Sequence, residues 1–164
     1  MLKAEEIREI EHELPLFPQK KAACIEALKI VQKHRGWVSD ESEAFVAKYL
    51  GMPEIAVHEV TTFYNMFNQH PVGRFKLNVC TNLPCQLRDG QVALEHLCTR
   101  LGVEEGGTTA DGLFTVQKAE CLGACADAPV MLVNDRQMCS FMTPERLDEL
   151  VAMLASHAVI ERAA

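Results

Sequence analysis

This sequence predicts an α/β fold in two parts: an N-terminal helical bundle, then a small sheet flanked by helices. Three observations carry that reading. Apolar residues recur at helical spacing through the first part. Pro71-Val72-Gly73 then punctuates the chain. Beyond it, Phe75, Leu77 and Val79 alternate with Arg74, Lys76 and Asn78, which is the period of a strand. The expected domains are therefore residues 1–72 and 73–164.

Each element has its own signal. Lys20 to Arg35 carries Cys24, Leu28 and Val31 on one apolar stripe, and Gly36 stops it. Asp40 with Glu43 resembles a capping box; Phe45, Val46, Tyr49 and Leu50 give the next apolar face, and Gly51 ends it. Pro53 suits the first turn of a third helix, running to about Thr61. The aromatic stretch FYNMF, Phe63 to Phe67, reads as packing between two lobes or as a docking surface. After the first strand, Leu87, Leu94, Leu97, Cys98 and Leu101 form a helical stripe closed by Gly102. Leu113 to Val116 is a short strand following the turn signal Asp111-Gly112. Val130 to Val133 and Gln137 to Phe141 are strands joined at Asn134-Asp135-Arg136. Thr143-Pro144-Glu145 opens a final helix with Leu147, Leu150, Val151 and Leu154 on one face. The order β-α-β-β-β-α, with a crossover long enough to be parallel, is the outline of a thioredoxin-like domain.

Composition narrows the function. The net charge is −7 over 164 residues, and no Lys/Arg cluster stands out, which excludes nucleic acid as a partner. No apolar run reaches the roughly 18–20 residues of a membrane helix, so no membrane insertion is expected. The acidic start MLKAEEIREIEHEL is neither a secretion signal nor a transit peptide. A reducing, cytoplasmic setting follows, where seven cysteines are ligands or core residues rather than disulfides.

The cysteines divide by context. Cys80 ends the first strand and Cys85 follows in CTNLPC; Cys121 and Cys125 follow the second strand in AECLGACADAP. If those strands are parallel, both pairs emerge at one sheet edge, where α/β folds place their sites. Two pairs on two loops suit a 2Fe–2S rhomb, one pair for each iron. Gly123, Ala124 and Ala126 let the backbone approach the sulfurs closely, Leu83, Pro84 and Leu122 shield them, and Pro84 and Pro129 stiffen the loops. A four-cysteine zinc site is the alternative, although its knuckles usually hold shorter C-x₂-C spacings. A redox disulfide fits less well, since no C-x-x-C exists. Cys24, Cys98 and Cys139 lie on apolar faces and read as core filler, and the six His show no ligand spacing.

CTNLPC, AECLGACADAP, TTFYNMF, PVGR and the helical N-terminal part together resemble one family, the small thioredoxin-like 2Fe–2S subunit of bacterial respiratory complex I, NADH:quinone oxidoreductase. The resemblance spans nearly the whole chain and implies cluster ligation by Cys80, Cys85, Cys121 and Cys125. It departs at one point: a Gly often follows the Arg after the first pair directly, whereas here Asp89 stands between Arg88 and Gly90. It also implies a place beside the flavin subunit of the peripheral arm, with FMN and NADH on that partner, among further iron–sulfur subunits and peripheral to the inner membrane. Equivalent subunits of NAD-linked hydrogenases or formate dehydrogenases are the alternative, as is a free-standing 2Fe–2S ferredoxin. The residues agree with a division of labour. There is no G-x-G-x-x-G after a strand and no P-loop, so NADH oxidation by this chain alone is not expected. A partner's flavin would accept the hydride and split its electron pair.

Overall fold

The computed structural model describes the backbone of residues 1–163 and the side chains of residues 1–158. It divides into two compact units, Met1–Pro71 and Val72–Ala164.

The first unit is helical: α1 (Ala4–Glu13), α2 (Cys24–Arg35), α3 (Asp40–Leu50) and α4 (Glu54–Phe63). Helix α1 carries a short apolar stripe, Ile7 and Ile10 with Leu14 just past its end, and all three meet the core. Its charged face dominates, and Ile10 is its one deeply buried apolar residue. What fastens it is Glu6, wholly buried, which accepts two bonds from Arg35 at the end of α2 at 2.7 Å each. Arg35 also donates to Ser42 Oγ at 3.0 Å, so one guanidinium joins α1, α2 and α3. The expected stripe Cys24, Leu28 and Val31 is buried, with Val38, Val46, Ala47, Leu50 and Val57 completing the core. Gly36 and Gly51 close α2 and α3 in the left-handed conformation. The cap of α3 is Ser39, whose hydroxyl accepts the Ser42 N–H at 3.2 Å, rather than Asp40, which is already helical. Pro53 is the cap of α4 and lies just outside it. FYNMF splits: Phe67 and Met66 pack into this core, whereas Phe63 and Tyr64 stay exposed with their rings edge to face at 5.0 Å.

The second unit holds a four-stranded sheet in the order β2-β1-β3-β4, built from β1 (Phe75–Cys80), β2 (Phe114–Ala119), β3 (Met131–Val133) and β4 (Gln137–Cys139). Strands β1 and β2 run parallel from Phe75↔Phe114 to Cys80↔Ala119; β3 is antiparallel to both β1 and β4. One sheet face presents Leu77, Val79, Phe114, Val116, Met131 and Val133. These pack with two helices, the first over Gly90–Leu101 and the last over Pro144–Ala163. This is the α/β arrangement expected, with three shifts, the first being that β4 stops at Cys139 rather than Phe141, which takes φ 55°. Strand β2 runs three residues past Val116, held by its pairing with β1. Leu87 is exposed rather than part of the long helical stripe, because the chain first makes a single turn, α5 (Leu83–Gln86), before α6 (Gly90–Leu101). Residues Asn134 and Asp135 take positive φ in the β3–β4 turn. Asp135 accepts from buried Lys76 at 2.6 Å and from Asn78 at 2.5 Å, clamping the hairpin onto β1.

Candidate metal centre

The parallel register of β1 and β2 decides where the cysteines go. Cys80 and Ala119 are paired, so both strands end level, and the loops after them leave the same sheet edge. Thr81 N–H donates to Ala119 O at 3.0 Å, which extends the ladder by one bond. On the other side, Cys80 N–H donates to Val130 O at 3.0 Å. Cys80 therefore sits on backbone fixed from both sides.

The four thiols form two unlike pairs. Cys80 and Cys85 are each 1% exposed and share an apolar bed with Ala128 and Val130, against which Leu122 and Ala124 pack. Cys85 is buried because Asn82 and Pro84 start the α5 turn, which swings it back beneath the strand end. Cys121 and Cys125 are exposed, with their sulfurs 3.6 Å apart. Two sulfurs each about 2.3 Å from a shared tetrahedral metal stand about 3.8 Å apart, so this pair already has the bite of a bidentate grip. All seven cysteines are free thiols.

The electrostatics tie the pairs together. Burial pushes the Cys85 thiol up, opposed by the Val130 N–H; Cys80 and Cys125 push it further. Cys125 is raised first by its bond to Cys121, then by loss of solvation and by the charges of Cys121 and Cys80. Neighbouring sulfur thus makes Cys85 and Cys125 harder to ionise. Four thiolates can coexist there only against concentrated positive charge, which iron supplies. Among the described residues no three His, Cys, Asp or Glu side chains gather to hold a single metal ion. The donors stand as pairs, and the residues present fit a two-iron cluster gripped pair by pair.

The surrounding loops show what else the site requires. Gly123 takes φ 79°, as its place between the outer cysteines anticipates. Leu122 is half-buried against the inner pair, whereas Leu83, expected as a shield, is exposed. Lys118, near the cysteines in sequence, turns to Glu105 at 3.2 Å. Two features lie beyond the reach of the sequence patterns. The first is Gly90: a Cβ there would stand 2.7 Å from Cys80 O and 2.8 Å from Cys85 O, so α6 starts hard against the backbone of both inner cysteines. The second is the bond from Asn82 Nδ2 to Glu120 Oε2, 3.0 Å, which crosses between the loops. The parallel register is the one signal that brings those two together. Asp89, which separates Arg88 from Gly90, has φ 66° and caps α6. That conformation explains a glycine preference at this position; Asp is among the few side chains that tolerate it. Cys24, Cys98 and Cys139 sit in or against the two apolar cores, away from these loops.

Comparison with known proteins gives a consistent picture. A family model described as thioredoxin-like [2Fe-2S] ferredoxin matches residues 7–155. The E subunit of NADH-quinone oxidoreductase from Escherichia coli (strain K12) is 40% identical over 150 residues, 92% of this chain and 90% of that protein. A second such relative, the E 2 subunit of NADH-quinone oxidoreductase from Rhizobium meliloti (strain 1021), is 43% identical over 127 residues, 77% of this chain and 76% of that protein. Among solved structures, an NAD+-reducing [NiFe]-hydrogenase in its H2-reduced state is similar with a TM-score of 0.66 at 22% identity. That likeness covers 79% of this chain but only 22% of the hydrogenase chain, and it shows the fold alone.

Proposed function

Because the chain belongs to the thioredoxin-like [2Fe-2S] ferredoxin family, we propose that it is the electron-transfer subunit of an NADH-quinone oxidoreductase, holding one 2Fe–2S cluster on Cys80, Cys85, Cys121 and Cys125. The observation that carries the ligand assignment is the convergence of two cysteine pairs on loops leaving adjacent, level strand ends. The identity of 40–43% to the relatives from two organisms supports the assembly. The hydrogenase alternative rests on 22% identity, a likeness of fold. A free ferredoxin would need only the second unit, so the four-helix first unit favours membership of a complex.

A bound 2Fe–2S group takes up and releases one electron at a time. The chain's own residues set the terms. Cys80 at the end of β1 and Cys85 on α5 would hold its inner side, where the apolar bed of Ala128, Val130, Leu122 and Ala124 would exclude water. The Val130 N–H stabilises negative charge on the Cys85 sulfur. The outer thiols, being exposed, bring that edge to the surface where a partner's flavin can approach. NADH and FMN belong on that partner, an FMN- and NADH-binding flavoprotein, with further iron–sulfur subunits beyond. Among the described residues no helix is long and apolar enough to cross a membrane, in keeping with a peripheral position. The test is native purification with metal and spectroscopic analysis. Two irons and two sulfides per chain, a rhombic spin-½ signal on reduction and a co-purifying flavoprotein are expected. One zinc per chain and no visible absorption would reject the cluster; elution alone with an intact cluster would reject the place in a complex.

A further inference from the structure

We infer that Asn82 and Glu120 form a latch that holds the two cysteine loops at cluster-binding distance, an inference that rests on the ligand assignment above. Backbone pairing between β1 and β2 ends at the Thr81–Ala119 bond. Beyond it the loops have no ladder to hold them, yet three of the four thiols, all but Cys80, lie beyond it. Asn82 Nδ2 donates to Glu120 Oε2 at 3.0 Å, one residue before Cys121 and two after Cys80. It is the first cross-loop bond past the ladder. On the Cys121 side the outer loop is otherwise held by packing of Leu122 and Ala124; past Cys125 it is held by bonds from Asp127 N–H to Ala124 O, from Phe141 N–H to Asp127 O at 2.8 Å and from Ser140 Oγ to Asp127 Oδ2 at 3.1 Å.

Magnitude decides what the latch can do. The bond is exposed, so water competes for both partners and its weight in global stability is small. Loss of the cluster, however, requires only local opening of these loops, whose free energy is far below that of unfolding. A small bond there moves the opening rate in full proportion. Asn82 and Glu120 are positioning residues: they set loop spacing and leave the iron to the sulfurs.

The experiment uses the full chain with its cluster. Decay of the visible absorption is followed anaerobically with bathophenanthroline as iron chelator, alongside reduction potential, EPR g-values and thermal unfolding of the apoprotein. N82A and E120A are each expected to speed cluster loss about three- to tenfold, and the double variant no further. E120Q keeps an acceptor oxygen and stays within about twofold of the original chain. N82D sets two carboxylates against each other and is the fastest single variant. The swapped pair N82D/E120Q restores the bond with its donor on the other loop and the same net charge. It should recover lifetime, g-values and potential together. Apoprotein unfolding should be unmoved throughout. A swap no better than N82D, or additive losses in the double alanine variant, would overturn the latch. If the original chain takes up no iron, the cluster reading itself fails and the latch with it.

Discussion

Both units pair buried charges within the chain, as Lys76 is paired with Asp135, but only the second gathers thiols at an open edge. In Met1–Pro71 the buried carboxylates have partners built into the chain. Glu6 is closed by Arg35 and the Lys3 N–H, and Glu43 by His58 and Thr61. In Val72–Ala164 the sheet core is equally apolar, but at its open edge Cys85 and Cys125 are made harder to ionise by burial and neighbouring sulfur. The first unit is finished by its own residues; the second has an edge that suits something bound.

The largest expected effect tests that contrast directly. Ser at Cys80, Cys85, Cys121 or Cys125 should lose or strongly perturb the cluster, since a hard oxygen replaces a soft thiolate. Ala at Cys24, Cys98 or Cys139 should cost about 1 kcal/mol of packing and leave the visible and EPR spectra unchanged. A native spectrum from Cys121→Ser would erase the distinction between the edge and the cores. Next comes separation of the units. Residues 73–164 expressed alone should take up iron with the spectrum of the full chain, yet bind the flavoprotein more weakly; equal affinity would show that the helical unit is not the docking element.

Within the first unit, Arg35→Met leaves the Glu6 carboxylate buried without its partner. Breaking such a pair costs about 3–5 kcal/mol, read as a lowered melting temperature. Acid provides the same test without mutation. The Arg35 guanidinium holds the Glu6 carboxyl below its ordinary value, against the opposing effect of burial. The folded group is therefore the stronger acid. Its contribution is present above the ordinary carboxylate range and is lost as pH falls through the depressed folded value. Far-UV circular dichroism should show helix loss in that acidic window, and Glu6→Gln should flatten the response.

Smaller effects sharpen the other side. Gly90→Ala forces a Cβ against Cys80 O and Cys85 O, costing about 1–3 kcal/mol and shifting the EPR spectrum through the inner pair. Asp89→Gly relieves a left-handed residue and should stabilise the apoprotein by about 1 kcal/mol with little spectral change. Calorimetry on the apoprotein separates the two.

The reach of sequence reasoning follows the range of the interactions. Strand alternation from Phe75 to Val79, glycine stops at Gly36 and Gly51 and the Thr143-Pro144 start are local, and each stands where its pattern places it. The candidate ligands can be named because a parallel crossover needs only one long-range step. Helix α1 has its stripe of Ile7, Ile10 and Leu14 in the sequence, but its charged anchor is not local, since Glu6 meets Arg35 across 29 residues. Ser39 and Asp40 are both good caps, and only the backbone chooses between them. Gly90 gives no local sign, since what it avoids is the carbonyls of Cys80 and Cys85.

The place of β1 in the sheet has a consequence in time as well as in space. It is hydrogen-bonded along both edges, to β2 and to β3. Its amides can exchange with solvent deuterium only when a neighbouring strand is stripped away. The segment around Cys121 and Cys125 has no strand on either side and is held only by side-chain packing and a few loop bonds, so it should open more readily. Cys80 and the outer cysteines thus keep different clocks, one tied to the slowest openings of the sheet and the other to those of a surface loop. A bound group would rest between a fixed jaw and a moving one, and its residence time would be set by the faster of the two.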